Sequence, residues 1–223
     1  MRKENFCIAI DGPAGAGKST VAQKVAARLG FVYIDTGAMY RALTWKCVQE
    51  GLQAKDVAAV EKLVKKIHIE LIPTSTTQKV NVDGQDVTAD IRSNAISRLV
   101  SGYAQIPAVR TMLVSMQKSM ANSGGIVMVG RDIGTHVLPN AELKIFLTAS
   151  VETRARRRLL EMEATDPTVT LEQLKRDMEE RDRMDKERKQ SPLTMAKDAI
   201  LIDSSHRTID EVTDYILRLC EDR

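Results

Sequence analysis

Short apolar runs alternate with helix-like segments along most of the chain. Runs of four or five mostly apolar residues lie at 6–10, 31–34, 126–129, 143–147 and 199–202. Strands buried on both faces of a parallel sheet have this near-continuous apolar composition. Between the first two runs, Val21, Val25 and Leu29 have helical spacing, and Gly30 follows as a helix stop. The pattern predicts an α/β fold with a five-stranded parallel sheet flanked by helices.

Residues 67–88 follow a different, two-residue period. Ile67, Ile69 and Leu71 alternate with polar residues, and Asp83-Gly84 is a pair typical of tight hairpin turns. We therefore expect a small antiparallel β insertion in this part of the chain. The apolar positions between 91 and 103 then predict a helix, and Pro107 is placed to begin another one.

The C-terminal third is helical in character and strongly charged. Two segments, at 170–173 and 208–211, have the sequence of a helix-capping box. Between 151 and 190 the helical pattern has one clear break, at Asp166-Pro167. The composition of this region favours a solvated helical hairpin, and a mobile arm is the alternative.

Composition and charge limit the classes of function. The 223 residues suffice for one α/β domain, and a net charge of +3 is too small to indicate a nucleic-acid-binding protein. The three cysteines are scattered without metal-type spacing, which is typical of a reduced cytoplasmic protein. No apolar stretch approaches the roughly 20 residues that span a bilayer, and residues 1–5 carry no cleavage-site pattern. We expect a cytoplasmic protein without a membrane partner.

One motif carries specific chemistry. Residues 12–19 match G-x-x-x-x-G-K-[ST], and the loop continues through residue 20: Gly12, Pro13, Ala14, Gly15, Ala16, Gly17, Lys18, Ser19 and Thr20. In such a P-loop the backbone amides surround phosphates, the lysine bridges the β- and γ-phosphates, and the hydroxyl binds Mg²⁺. A glycine-rich turn that binds nothing is the alternative, which the preceding strand and the following helix disfavour. The loop therefore predicts ATP binding, with Ser19 as the metal ligand.

Several classes of P-loop protein fit poorly. A GTPase needs Asp-x-x-Gly and Asn-Lys-x-Asp motifs, and neither occurs in this chain. A motor or transporter ATPase needs an apolar strand that ends in acidic residues, whereas the run at 126–129 leads into Gly130-Arg131-Asp132. A small-molecule kinase fits the length, because it needs only a donor site, an acceptor site and a cover that excludes water.

Segments beyond the P-loop resemble one kinase family. Residues 35–41 (DTGAMYR), together with 10–20 (IDGPAGAGKST), resemble the bacterial cytidylate kinases. Further matches are 130–135 (GRDIGT), 144–147 (KIFL) and the acidic and basic positions Glu180-Arg181-Asp182, Asp185 and Arg188. Many P-loop enzymes share the first motif alone, but these segments in this order are specific to the family.

The resemblance implies a fold and an activity. The fold is that of the P-loop NTPases, with the antiparallel insertion in the acceptor-binding region and a helical lid. A single domain would comprise a core at about 1–40, 105–152 and 191–223, an acceptor-binding insertion at about 41–104 and an arginine-rich lid at about 153–190. The implied reaction moves the γ-phosphoryl group of ATP, with Mg²⁺, to CMP or dCMP. We expect a monomer that binds no nucleic acid.

The resemblance also implies roles for individual residues. Lys18, Arg131 and Arg188 are the implied catalytic residues, and Arg157 is a lid arginine near the donor nucleotide. The implied acceptor-binding residues are Thr36, Arg41, Ser101, Arg110, Arg131, Asp132, Arg181, Asp185 and Arg188. Of these, Ser101, Arg110 and Asp132 would contact the cytosine, and Arg181 and Asp185 the ribose. Many family members carry serine where this chain has Thr36, which retains the hydroxyl.

Elementary chemistry agrees with these roles. Two phosphate groups repel each other, so bringing them in line needs cations besides Lys18, and guanidinium groups bind phosphate oxygens bidentately. Arg41, Arg131 and Arg188 suit that purpose. A carboxylate such as Asp132 would accept from the amino group of cytosine and repel the carbonyl of uracil, and Arg110 would donate to the ring nitrogen and O2.

Simpler interpretations remain open at this stage. Asp132 follows a strand and is placed to cap a helix. Arg181, Asp185 and Arg188 have helical spacing and would form a surface ion-pair ladder, and the arginines between 154 and 158 would form a solvated helix face. A kinase for UMP, AMP or a small metabolite is the alternative enzyme. An ATP-dependent switch or a nucleic-acid-binding module is the alternative of another class, which interspersed acidic residues and the lack of aromatic interleaving disfavour.

Overall fold

The structure is a computed structural model that describes residues 6–74, 77–162, 168–221 and 223. Over these residues the strands are β1 (Cys7–Asp11), β2 (Val32–Asp35), β3 (Ile69–Pro73), β4 (Gln78–Val82), β5 (Gln85–Asp86), β6 (Ile126–Gly130), β7 (Leu143–Thr148) and β8 (Ile200–Asp203). The α-helices are α1 (Lys18–Leu29), α2 (Thr36–Gln49), α3 (Val57–Val64), α4 (Asn94–Tyr103), α5 (Pro107–Met120), α6 (Val151–Met162), α7 (Leu171–Glu187) and α8 (Ile209–Glu221). The expectations for residues 1–5 and for the break at Asp166-Pro167 lie outside the described residues.

The five apolar runs form one parallel sheet, as predicted. Its strand order is β2-β6-β1-β7-β8, so the first strand lies in the centre. Ile8 and Ile10 of β1 face one apolar cluster, and Ala9 between them faces a second cluster on the other side of the sheet. Both faces of the central strand are therefore buried, which explains why its sequence is apolar throughout rather than alternating.

Helices α1 and α8 cover one face of this sheet. Val25 and Ile216 are fully buried in the cluster that they form with the strands. Helix α1 ends where predicted, because Gly30 has a φ of 68° and its amide returns to Ala26 O. The predicted capping box at the start of α8 is complete. Glu211 N donates to Thr208 Oγ1 at 3.2 Å, and Thr208 N donates to Glu211 Oε2 at 2.7 Å.

The predicted antiparallel insertion is also present, as a three-stranded sheet of order β3-β4-β5. Asp83 and Gly84 both have positive φ, of 50° and 84°, which is the backbone of a tight hairpin turn. Val80 and Val82 turn inward and pack in the apolar cluster of α2, α3 and α5. The following helix begins later than the apolar pattern predicts, because Ile91 lies in a separate 3₁₀ turn.

Helices α6 and α7 lie against each other over a small apolar cluster of their own. Ala155, Met162, Leu174 and Met178 form its buried part. Thr170 caps α7 by accepting from Gln173 N at 3.2 Å. The Gln173 side chain contacts Asp177 instead of returning to Thr170, so only half of this predicted capping box forms.

The carboxyl ends of the parallel strands lead into the segments that the sequence singles out. Strand β1 leads into the loop at Gly12, β2 into Thr36 and β6 into Arg131. Since these three strands are neighbours in the sheet, their loops meet at one edge. Within the described residues, no helix has the length and apolar character needed to cross a membrane.

Candidate active site

The loop after β1 curls tightly between the sheet and α1. Gly12 has a φ of 144°, and a Cβ on this residue would lie 1.9 Å from Leu147 O of the neighbouring strand. Gly17 has a φ of 88° and occupies the N-cap position of α1. Only glycine suits these two positions, because one lacks space and the other needs a left-handed backbone. The first amides of α1 therefore face the loop, an arrangement that attracts anions.

Lys18 lies inside this loop. The residue is 7% exposed, and Nζ donates to Pro13 O at 2.7 Å. Burial, followed by the nearby Arg131 guanidinium, lowers the pKa of Lys18 well below its ordinary value. An anionic ligand beside Nζ would reverse that shift, because it favours the protonated amine. Ser19 and Thr20 are exposed at the first turn of α1, and Ser19 hydrogen-bonds Tyr33.

The residues after β6 form the centre of a buried charge network. Asp132 is 5% exposed, and its two oxygens accept from different arginines. Arg110 Nη2 lies 2.5 Å from Oδ2, and Arg188 Nη2 lies 3.2 Å from Oδ1. Arg110 comes from α5 and Arg188 follows α7, so three distant segments meet at one carboxylate. The guanidinium of Arg110 also lies 5.6 Å from the centre of the Tyr40 ring.

A second carboxylate, Asp185, continues this network. It accepts from Arg131 Nε at 2.7 Å, and Arg188 Nη1 lies 3.9 Å from its other oxygen. Burial alone would raise the pKa of Asp185, but Arg131, Arg181 and Arg188 hold that pKa below its ordinary value. Arginines and carboxylates thus alternate from Arg110 to Arg131.

Two further arginines lie beside this network with donors left over. Burial and the neighbouring Arg131 lower the pKa of Arg181 to about 10, and its Nε has no hydrogen-bond partner among the described residues. Arg41 Nη2 donates to Asp35 at 2.9 Å, and its buried Nε also lacks a partner within the described part of the chain. Guanidinium groups in this state have unused donors for an anionic ligand.

The remaining candidate residues are placed as follows. Thr36 is buried, and its hydroxyl donates to Val129 O at 2.8 Å. Ser101 is buried in α4 and makes no hydrogen bond to the arginine network within the described residues. Arg157 donates to Ser204 O at 2.7 Å and to Ser204 Oγ at 3.2 Å. Ser204 Oγ in turn lies 3.1 Å from Ala16 O, so Arg157 is held at the edge of the P-loop.

The structure overturns three of the simpler interpretations. Asp185 and Arg188 are buried and bind residues of other segments, so a surface ladder is wrong. Asp132 does precede a helical turn, but its side chain makes no capping hydrogen bond. A solvated face is wrong for Arg154, which is 3% exposed. These charged side chains can be buried because each is paired with an opposite charge. The partners come from other segments, so the local sequence does not reveal them.

Arg154 and its partner were not predicted as site residues. Arg154 forms a two-fold contact with Asp182, at 2.7 and 3.2 Å, and its Nη1 donates to Ala14 O of the P-loop at 3.1 Å. One signal was present in the sequence, because Arg154 lies three residues after Val151 and next to Ala155, on the apolar face of α6. Asp11, whose carboxylate is buried beside the P-loop, was also missed.

Comparisons with known proteins agree with the resemblance. Residues 8–222 match the family model described as cytidylate kinase. A cytidylate kinase from Geobacillus thermodenitrificans is 51% identical over 221 residues, which cover 99% of each chain. One from Desulforamulus reducens is 54% identical over 218 residues, or 98% of each chain. The solved structure of an uncharacterized protein from Eubacterium ventriosum has a TM-score of 0.54 at 15% identity, covering 98% of this chain and 99% of that one, and shares the fold.

Proposed function

The chain belongs to the cytidylate kinase family, and we propose that it transfers the γ-phosphoryl group of ATP to CMP and dCMP between the P-loop and the arginine network. The products are ADP and CDP or dCDP. The protein is accordingly a nucleoside monophosphate kinase. The observation that carries the proposal is the buried contact of Arg110 and Arg188 with Asp132, at the same sheet edge as the P-loop.

The P-loop is the proposed donor site. Its inward amides would bind the phosphates of ATP, Lys18 would bridge the β- and γ-phosphates, and Arg157 would lie near the donor nucleotide. Mg²⁺ in kinases is held by one or two protein ligands together with substrate phosphates, so a single hydroxyl is enough. The exposed Ser19 at the start of α1 fits that requirement. When bound, the ion would neutralise charge on the transferred phosphate.

The arginines beside the P-loop are the proposed site of the acceptor phosphate. Among the described residues the buried Nε groups of Arg41 and Arg181 have no hydrogen-bond partner, and Arg131 and Arg188 lie within the adjacent charge network. Their positive charge would offset the repulsion between acceptor and donor phosphates. The transfer needs no protein nucleophile, because positioning and electrostatic stabilisation supply the catalysis.

Asp132 is the proposed cytosine-recognition residue. Its carboxylate would accept from the cytosine amino group, and Arg110 would donate to the ring nitrogen and O2. Uracil presents a carbonyl at the amino position, which the carboxylate repels. In a buried site this mismatch leaves polar groups without partners, which strongly disfavours the wrong base. Thr36 and Ser101 would contribute hydroxyls to the acceptor site, and Asp185 with Arg181 would bind the ribose.

The organisation of the molecule is proposed on the same basis. The core at about 1–40, 105–152 and 191–223 would carry the donor site, the insertion at about 41–104 would cover the acceptor, and the lid at about 153–190 would close over both. All the proposed site residues come from one chain, which is consistent with a monomer. We propose a cytoplasmic location because the substrates are found there.

One assay distinguishes this function from other kinase activities. ADP release is measured with CMP, dCMP, UMP, AMP and shikimate as acceptors, with phosphate release from ATP alone as the control. We expect the highest kcat/KM for CMP and dCMP, and slow ATP hydrolysis without an acceptor. A better rate with another acceptor would contradict the proposed cytosine recognition. Equal phosphate release with and without CMP would contradict the exclusion of water by the lid.

A further inference from the structure

Asp11 ends the central strand β1, immediately before the P-loop. Its side chain is buried, with 4% of the residue exposed. Oδ1 accepts from Ile133 N at 2.8 Å, and Oδ2 accepts from Gly134 N at 2.8 Å. Both oxygens are therefore used on the backbone just after Asp132, more than a hundred positions away in sequence.

The two amides belong to the start of the helical turn at Ile133–Val137. Amides at the start of a helix have no acceptor within the helix and need one from elsewhere. The usual source is the side chain of the preceding residue, here Asp132, but this side chain makes no capping contact. Asp11 supplies the acceptors from the neighbouring strand instead.

The hydrogen bonds of Asp11 to the two amides determine where the Asp132 side chain points. Because Asp11 satisfies the two amides, the Asp132 carboxylate remains available for Arg110 at 2.5 Å and Arg188 at 3.2 Å. The strand before the turn is held as well, since Thr36 Oγ1 donates to Val129 O at 2.8 Å. The backbone that carries Asp132 is thus fixed from both sides.

The electrostatic surroundings of Asp11 agree with a carboxylate that accepts two hydrogen bonds. Lys18 attracts its negative charge, and Asp132 repels it. Burial, with a smaller contribution from Asp132, raises the pKa of Asp11 to about 6, against the two amides and Lys18. The side chain is consequently ionised at pH 7.5 and can accept on both oxygens.

We propose that Asp11 is a positioning residue that aims Asp132 at the acceptor base and joins the base-recognition turn to the P-loop. This role rests on the proposed function, because it presumes that Asp132 contacts the cytosine. Asp11 itself does not touch either substrate in this proposal. Its contribution is to acceptor selectivity rather than to the chemistry of the transfer.

The test replaces Asp11 by asparagine, which keeps the shape and loses one acceptor. Whichever way the amide is turned, its NH₂ group faces one of the two backbone donors. We expect the CMP-over-UMP ratio of kcat/KM to fall about tenfold, the effect of losing one hydrogen bond to a charged group, chiefly through the KM for CMP. The KM for ATP should change less than about twofold, since the P-loop keeps its own contacts.

Three controls accompany this variant. Asp210→Asn removes an exposed carboxylate that pairs with Lys24 at 2.6 Å, and it should leave the ratio unchanged. Asp11→Ser shortens the side chain and, unlike asparagine, places no NH₂ group against the two backbone N–H donors. It should lower the CMP-over-UMP ratio as Asp11→Asn does. In the Asp132→Ala background, Asp11→Asn should change the ratio less than about twofold, because the group that it positions is gone.

The possible outcomes are distinguishable. A ratio that stays at the wild-type value, with kcat lowered equally for both acceptors, would overturn the role of Asp11. Loss of cooperative unfolding in both Asp11 variants would also overturn it, because positioning alone does not require Asp11 for folding. A wild-type enzyme without any preference for CMP would instead contradict the proposed function, before any variant is compared.

Discussion

The P-loop and the arginine network, which we propose as the donor loop and the acceptor network, lie at one sheet edge but are built in different ways. The loop is nine consecutive residues, 12–20, and its proposed contacts come mainly from backbone amides and the single Lys18. The arginine network joins side chains from α5, α7 and the turns after β6 and α7. A phosphate chain looks the same in every nucleotide, so backbone groups can bind it. A particular base needs side chains of matching chemistry, which have to come from several segments.

The two regions also differ in how their charges are balanced. The acceptor arginines already contact carboxylates, as Arg110 does with Asp132 and Arg131 with Asp185. Lys18 has only the carbonyl of Pro13 as its hydrogen-bond acceptor among the described residues. Buried charges are costly unless they are paired, and within this network each carboxylate lies against arginines. In the proposed function the P-loop, in contrast, would gain most of its charge compensation from the phosphates of ATP.

The largest effect is expected from Lys18→Met. This substitution removes the one buried cation of the donor loop and keeps most of the length of the side chain. We expect kcat to fall by roughly 10²–10³-fold, because one preorganised donor to the transferring group is lost. The KM for CMP should change less than about threefold, because a substitution in one site has little effect on a separate site. Steady-state assays with CMP varied check both values.

The matched control is Lys24→Met on the same helix, where the lysine is exposed and pairs with Asp210. Its kcat should stay close to that of the wild type. If Lys18→Met instead raises the KM for CMP and leaves kcat intact, the donor and acceptor assignments of the two regions are reversed.

The next effect is expected from Asp132→Ala, which interrupts the acceptor network at its centre. The CMP-over-UMP ratio of kcat/KM should fall about 10²-fold, because the acceptor for the cytosine amino group is removed. The free energy of unfolding should fall by about 3–5 kcal/mol, since Arg110, which is 1% exposed, loses its opposite charge. Acceptor competition assays and denaturant titrations measure the two effects.

Asp132→Asn separates these contributions, because it keeps the volume and part of the hydrogen bonding. We expect ATP affinity to stay within about twofold of wild type in both variants. An unchanged preference for CMP in Asp132→Ala would remove Asp132 from the base site and leave it with a structural role alone.

The contrast between the two regions also explains what the sequence could predict. The five-stranded sheet and the hairpin at Asp83-Gly84 follow from local patterns, and the P-loop is a contiguous motif. The contact between Arg110 and Asp132 joins residues 22 positions apart, and Arg188 approaches from 56 positions away. Neither spacing has a local signature. The family resemblance named these residues, whereas their chemistry alone left a surface ladder and a helix cap open.

Arg154 and Asp11 are site residues that the sequence did not predict, for the same reason. Arg154 stands in a run of four arginines between 154 and 158, and its place on the apolar face of α6 is the one local sign that it is buried while Arg156 is exposed. Asp11 is a single carboxylate beside a well-known motif, and its acceptor role depends on a parallel neighbour strand. Tertiary pairing decides both cases, so the contact of Arg154 with Asp182 and that of Asp11 with two backbone amides cannot be predicted from residue type and period.

A smaller effect is expected where helices α6 and α7, the proposed lid, contact the P-loop. Asp182→Asn removes the charge that holds Arg154, whose Nη1 donates to Ala14 O. We expect the KM for ATP to rise about tenfold, the cost of weakening one charge-assisted contact to the loop, while the CMP-over-UMP ratio stays unchanged. Kinetics with ATP varied measure this effect.

Arg156→Gln is the control on the same helix, since Arg156 is exposed and pairs only with Glu152 among the residues that the structure describes. It should behave like the wild type. A fall in the CMP-over-UMP ratio in Asp182→Asn would mean that the lid contact acts on the acceptor network instead of the donor loop.

The last effect concerns stability instead of kinetics, at the residue that lies between the two regions. The pKa of Asp11 is about 6 in the folded protein, above its ordinary value of 3.8, chiefly because of burial. Between these two pH values the folded state binds more protons than the unfolded state, so the stability that Asp11 contributes is full below 3.8 and is lost as the pH rises through 6. Asparagine does not titrate. The unfolding free energy of the wild type minus that of Asp11→Asn should therefore fall between about pH 4 and 6, by roughly 1 kcal/mol per pH unit at its steepest.

Denaturant titrations of both proteins across pH 4–8 measure this difference. Asp132 and Lys18 face Asp11, so the same comparison in the Asp132→Asn background removes the second carboxylate. Because Asp132 contributes to the raised pKa of Asp11, the pH range over which the stability difference falls should then end at a lower pH. A difference that rises with pH would mean that the two amides and Lys18 outweigh burial and hold the pKa of Asp11 below its ordinary value. In that case Asp11 would be a stabilising charge of the P-loop region, comparable to the paired carboxylates of the acceptor network.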